Sequence, residues 1–185
     1  MISNPALLLA LGLAANASTS PPAPPPPPPP DCSAAEHRQF DFWVGDWEVQ
    51  MTTAQGQEVI AGHNTVTRDL KGCTITEHWR GSRGTDGRSL NLYDRQSKRW
   101  KQFWVDSQGG LLELGGSSPK PNEMLMQSQP LNGTVQRVHW KLLDDGRVRQ
   151  HWQSSTDQGA SWNTVFDGYY RKVETARTDS AEVKN

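Results

Sequence analysis

The sequence predicts an all-β fold, antiparallel, closed as either a sandwich or a barrel, of about ten strands. Two observations carry this. Between residues 36 and 172 the chain alternates apolar and polar positions in short segments separated by turn residues. Helical periodicity is nearly absent over the same span, and short strands at regular spacing read as sandwich or barrel. In chain order, a short helical turn falls at 36–42. Strands follow at 45–52, 57–67, 73–80, 87–94, 99–106, 110–115, 123–129, 135–143, 146–154 and 161–171.

A period of two assigns the faces. Trp47, Val49 and Met51 share one side of the first strand, and Cys73, Ile75, Glu77 and Trp79 one side of the third. Val138, Trp140 and Leu142 face the core from the eighth, and Val148, Gln150 and Trp152 from the ninth. The tenth carries Trp162, Thr164, Phe166, Gly168 and Tyr170 on a single face. Residues 87–94 admit two readings, one burying Leu90 and Leu92, the other Ser89, Asn91 and Tyr93. In 99–106 the face of Trp100, Gln102 and Trp104 is expected inside, because indoles bring more apolar area than Phe103 and Val105. Asp144-Asp145-Gly146 makes a three-residue hairpin that pairs Leu143 with Arg147, Trp140 with Gln150 and His139 with His151.

The chain has 185 residues, a formal net charge of −1 and 21% charged residues, which argues against nucleic-acid binding through a basic surface. No apolar run reaches the roughly 18 residues of a membrane span. Eight Trp are well above ordinary usage. Residues 6–15, ALLLALGLAA, followed by Ala15-Asn16-Ala17, fit the h-region and cleavage site of a signal peptide at 1–17, although Met1 to Pro5 has no Lys or Arg. The expected location is therefore periplasmic or secreted. Residues 18–35 form a proline-rich, disordered linker in which Pro24 to Pro30 are consecutive. Such a run lacks backbone donors and favours a polyproline II rod. The domain is expected over 36–172 and a disordered tail over 173–185. The context before Cys32 is not that of a lipid anchor. Cys32 and Cys73 are the only cysteines, and in an exported chain they are expected to bridge.

Phe40-Asp41-Phe42-Trp43-Val44-Gly45-Asp46-Trp47-Glu48-Val49 resembles the opening of a widespread bacterial family of mostly exported, uncharacterised proteins. The resemblance continues through Gly72 to Trp79, Tyr93-Asp94, Trp100 to Asp106 and Phe166 to Arg171, and so covers about 36–172. That family looks like part of the calycin superfamily, the lipocalin and fatty-acid-binding-protein type. The resemblance implies an up-and-down barrel and no particular activity. Gly45-x-Trp47 also resembles the lipocalin Gly-x-Trp signature, which implies a structural Trp47 packed under Arg171 in a cation–π contact. A haem barrel of the nitrobindin type would need an inward His near the last strands. Residues 161–171 contain none and His151 falls on the outer face, so haem and other cofactors are not expected.

Glu77 is the sharpest single residue, because it alternates with Ile75 and Trp79 and so points inward among aromatics. A buried carboxylate must be paired, hydrogen-bonded or protonated. Gln102 and Gln150 share Trp-bearing faces, and Asn91 shares one reading of its strand. Singly, each amide reads as a core hydrogen-bond filler. Together they describe a cavity with aromatic walls and a few directed polar groups, the composition of a small-molecule pocket. The candidate ligand residues are Glu77, Trp79, Asn91, Tyr93, Gln102, Trp104, Gln150 and Trp152. No catalytic residue is assigned, with Glu77 the one candidate for acid–base work. The five histidines have no metal-ligand spacing, and two paired His do not make a closed zinc site. No Gly-x-Ser-x-Gly elbow or phosphate loop is present. Ser155 to Trp162 match the Asp-box pattern S-x-D-x-G-x-x-W, read here as a hairpin fastener because a lone copy gives no glycosidase. Three functions fit: a binding barrel for a small hydrophobic or aromatic molecule, an enzyme using Glu77, or a filled barrel that serves protein interaction.

Overall fold

The computed structural model describes residues 32–173; the expected signal peptide, most of the proline-rich linker and nearly all of the tail lie outside them. Ten strands run in chain order: β1 (Gly45–Thr52), β2 (Glu58–Asp69), β3 (Thr74–Gly81), β4 (Asp86–Asp94), β5 (Arg99–Asp106), β6 (Leu111–Ser117), β7 (Glu123–Gln127), β8 (Val135–Leu142), β9 (Val148–Ser155) and β10 (Asn163–Lys172). Each pairs antiparallel with its neighbour in sequence, and β10 closes onto β1. The sheet is therefore an up-and-down barrel, not a sandwich. The sequence segments match these strands to within a few residues.

Residues directly opposite in a ladder share a face, so each strand's inward side is dictated by its neighbours. This decides β4. Ser89 pairs with Glu77 on one side and Trp104 on the other, and Asn91 pairs with Ile75 and Gln102. The polar side of β4 is drawn inside, while Leu90 is 40% exposed on the outer wall. In β5 the Trp100–Gln102–Trp104 side is inward, as expected, with Phe103 and Val105 outside. Leu143 N–H donates to the Arg147 carbonyl at 2.7 Å, Gly146 takes a φ of +82°, and Trp140 stands opposite Gln150. The three-residue hairpin therefore sets the register as the sequence predicts.

The face expected for β10 holds only over Phe166, Gly168 and Tyr170. A bulge between Thr164 and Phe166 inserts one residue and reverses the alternation before it. Thr164 turns outward to His151, at 3.0 Å, and Trp162 lies outside under the Arg137 guanidinium, 3.9 Å from the ring centroid. The Asp-box does act as a fastener. Asp157 accepts from Ser161 N–H and from the Ser155 and Ser161 hydroxyls, and Trp162 Nε1 donates to the Gly159 carbonyl at 3.0 Å. These bonds hold the Asp157 carboxyl far below the usual carboxylate range.

One end of the barrel is stopped by two 3-10 turns, Ala35–Arg38 and Asp41–Trp43. Phe40 stacks on Trp43 and meets Trp100 and Trp140 edge-on, and all four are essentially inaccessible to water. Polar contacts fasten this plug. Trp47 Nε1 donates to the Trp43 carbonyl at 2.9 Å and Trp100 Nε1 to Gln39 Oε1 at 3.1 Å. Arg68, at the end of β2, pairs with Asp41. The expected bridge between Cys32 and Cys73 is formed and ties the plug's leading residue to the start of β3. It closes a loop of 41 residues in sequence, for which chain entropy gives about 4 kcal/mol of stabilisation. Cys32→Ser should therefore lower the unfolding free energy by about 4 kcal/mol. Urea denaturation monitored by tryptophan fluorescence measures this. An unchanged midpoint would mean that the aromatic plug holds the end without the bridge.

Candidate functional site

Above the plug the barrel is hollow. A cavity of about 520 Å³ lies between its walls, with the exposed residues Arg83 and Gln108 at its rim. That rim is built from the ends of β1 and β2 and from the β3–β4 and β5–β6 turns. Trp79, Trp104, Trp152 and Phe166 supply aromatic wall, while Glu77 and Tyr170 reach it from deeper in the barrel. Trp79 and Phe166 meet edge-on with centroids 6.0 Å apart.

Two indoles of the wall pack directly against glycines. A side chain at Gly87 would collide with the six-membered ring of Trp104, and one at Gly62 with Trp79. Inward glycines thus let large rings line the lumen without filling it. Two indole N–H groups are also satisfied: Trp104 Nε1 donates to Asp106 Oδ2 at 3.2 Å, and Trp152 Nε1 to Gln136 Oε1 at 2.7 Å.

Glu77 is 6% exposed. Its Oε1 accepts from Asn64 Nδ2 at 2.8 Å and its Oε2 from the Ser89 hydroxyl at 2.6 Å. Neither donor is charged, and among the described residues Glu77 forms no ion pair. Burial pushes its carboxyl up to about 7, against the opposing effect of these two hydrogen bonds. Behind it, Asn91 Nδ2 donates to the Ile75 carbonyl and to Ser89 Oγ, and Gln102 Nε2 donates to Asn91 Oδ1 at 2.9 Å. The Tyr170 hydroxyl donates to Gln150 Oε1. Burial, with Glu77 nearby, holds the Tyr170 phenol well above its ordinary value. At the rim, the amides of Gly110 and Gln108 hold the Asp106 carboxyl below the usual range. A neutral-range carboxyl facing a cavity can orient a ligand, pair with a cation or move a proton.

Of the eight residues expected around a ligand, Glu77, Trp79, Gln102, Trp104, Gln150 and Trp152 line this cavity. Asn91 does not; it is fully buried one layer back, where it orients Ser89. Tyr93 does not either. It packs against His37 and Trp100 beside the plug, because β4 runs toward that end. Trp47 is buried as expected, but Arg171 does not cover it. Arg171 stands opposite Glu48 on the outer face and pairs with it at 2.7 Å, whereas Lys172, opposite Trp47, places its ammonium 5.9 Å from the indole centroid.

Three residues of the site escaped the sequence reading. Asn64 faces inward from β2, where no run of apolar residues marks the inner side. Arg83 belongs to a turn, whose direction periodicity does not set, and Asp106 is the last residue of β5, on the Trp104 side but at the strand's end. Among the described residues, no group of three or more His, Cys, Asp or Glu is arranged to hold a metal ion. Compared with protein-family models and with curated proteins, the chain matches none.

A carboxyl that ionises near 4.5 when unfolded and near 7 when folded favours the folded state below the lower value. That contribution is lost as pH rises through the upper one, and amounts to roughly 3 kcal/mol. Stability should therefore fall between about pH 4.5 and 7, and Glu77→Gln should remove that part of the slope. Chemical denaturation of both proteins across this range checks the difference; parallel curves would contradict it. Gly87→Ala should push Trp104 into the lumen at a cost of about 1–3 kcal/mol. A smaller cavity by crystallography and a shifted tryptophan emission are the expected readouts.

Proposed function

We propose that this is an exported, periplasmic or secreted, small-molecule-binding barrel of the calycin type, taking a small hydrophobic or aromatic molecule. The observation that carries the reading is the hollow of about 520 Å³, walled by indoles above the buried carboxyl of Glu77. Its volume falls in the usual range for ligand pockets, which are mostly apolar with a few placed polar groups. A filled barrel would have no such space, so the interaction-module reading loses its premise. The Cys32–Cys73 bridge supports export, since such bridges persist in oxidising compartments. No helix of the described residues is long and apolar enough to cross a membrane. The up-and-down closure and the Gly45-x-Trp47 entry to β1 support the calycin kinship.

A second reading keeps the same cavity and makes Glu77 a general acid or base, favoured by its ionisation near 7. The two separate on Glu77→Gln, which removes proton transfer but leaves the aromatic walls.

The neutral fluorophore N-phenyl-1-naphthylamine tests the binding reading. It should bind with a dissociation constant of about 1–10 μM, quench tryptophan emission and be displaced by any ligand that co-purifies with the protein. Gly87→Ala should weaken it about tenfold. No binding by the folded protein would refute the reading.

A further inference from the structure

We infer that the ligand carries a protonated amine, seated against Glu77, on an aromatic or aliphatic body held by the indole walls. This rests on the binding reading above and names the ligand class for that cavity.

The first argument is the direction of the hydrogen bonds. The Ile75 backbone carbonyl can only accept, so the Asn91 group facing it is the NH₂, at 3.1 Å. Asn91 Oδ1 is then the acceptor for Gln102 Nε2. Ser89 Oγ receives the second Asn91 hydrogen at 2.9 Å, which leaves its own hydrogen for Glu77 Oε2. Asn64 adds a donor to the other carboxylate oxygen. The chain from Gln102 through Asn91 and Ser89 thus runs donor to acceptor toward Glu77, and the hydrogens of Ser89 and Asn64 end on its carboxylate. Such a shell is built around an acceptor, the ionised form, and not around a carboxylic acid that must itself donate.

The second argument is what the shell lacks. Two neutral donors do not offset the burial of a full charge, and no Lys, Arg or His is bonded to Glu77 among the described residues. The protein alone holds the carboxyl at the edge of ionisation. A cation arriving from the cavity would complete the pair, and the remaining lone pairs of the carboxylate are free to accept from an ammonium.

The third argument is the wall. The titratable or charged residues lining the cavity are Glu77, Tyr170, Asp106 and Arg83. Arg83 lies in the exposed β3–β4 turn, whereas Asp106 is an ionised carboxylate at the rim, held by Gly110 and Gln108 amides. The phenol of Tyr170 is neutral at any physiological pH. Trp79, Trp104 and Trp152 offer π-faces that attract cations and tolerate apolar bodies. An anionic ligand would meet Glu77 with no compensating cation at depth. A neutral one would leave the Glu77 carboxylate without a counter-charge.

Isothermal titration of the intact protein at pH 7 with 4-phenylbutylamine, 4-phenylbutan-1-ol and 4-phenylbutyrate tests this. The amine should bind at least tenfold more tightly than the alcohol, and the carboxylate more weakly than either. Because Glu77 is part-protonated at pH 7 and the amine is not titrating there, amine binding to the wild type should release a fraction of a proton per site. Titrations in buffers of different ionisation enthalpy detect this without any variant. Amine affinity should rise from pH 5.5 to 8, and Glu77→Gln should abolish both the rise and the preference over the alcohol. Equal affinity of amine and alcohol, or a preference for the amine that survives Glu77→Gln, overturns the amine assignment while binding of N-phenyl-1-naphthylamine leaves the barrel a binding protein. Failure of all four compounds overturns both.

Discussion

A closed sheet of ten strands encloses a lumen wider than its own inward side chains fill, since eight strands already make an interior only just packed. The rest of the molecule depends on how that excess is met. At one end the chain folds its leading segment back across the opening, and Phe40 and Trp43 occupy the axis among Trp47, Trp100 and Trp140. Nothing equivalent crosses the other end among the described residues. The cavity is therefore the part of the lumen that the plug does not reach, and the Cys32–Cys73 bridge, by holding the plug in place, also fixes where the hollow begins.

Keeping that hollow open requires that large rings stay at the wall. Gly87 and Gly62 allow Trp104 and Trp79 to lie against backbone, and Asp106 and Gln136 anchor the indole N–H groups of Trp104 and Trp152. Each anchor fixes a ring at its polar edge while its faces remain apolar, so the wall is both ordered and unfilled. The cost sits in the polar layer beneath. Glu77 is desolvated without a counter-charge, and its two neutral donors recover only part of what burial removes.

Much of this was readable from alternation alone. The ten segments, the inward side of β5, the register of β8 on β9 and the disulfide all follow from period two, turn chemistry and cysteine count. Where the reading stopped, it stopped for identifiable reasons. Hydrophobicity favours burying Leu90 and Leu92, but β4 takes its face from pairing with Glu77 and Trp104, a non-local fact. The bulge before Phe166 moves Trp162 and Thr164 outside, and one inserted residue has no compositional mark. The same sensitivity to a single position separates Arg171 from Lys172: opposite Trp47 stands Lys172, so the charge over the indole is the ammonium, and Arg171 turns out to Glu48. Asn64 belongs to a strand whose two sides differ little in polarity.

Tyr170 joins the two halves of the barrel. Its ring meets Trp43 and Trp47 at centroid distances of 6.5 and 6.3 Å, as part of the plugged end, and its hydroxyl donates to Gln150 in the cavity wall. Because that hydrogen is committed to Gln150, the phenol has none to give to Glu77. Tyr170 therefore adds apolar bulk beneath the carboxylate without relieving its charge. The packing that closes one end thus contributes to the desolvation that raises Glu77 above it. The aromatic plug and the carboxylate without a counter-charge are therefore linked in this fold: the tighter the base is packed, the more the charge above it needs a partner from outside the chain.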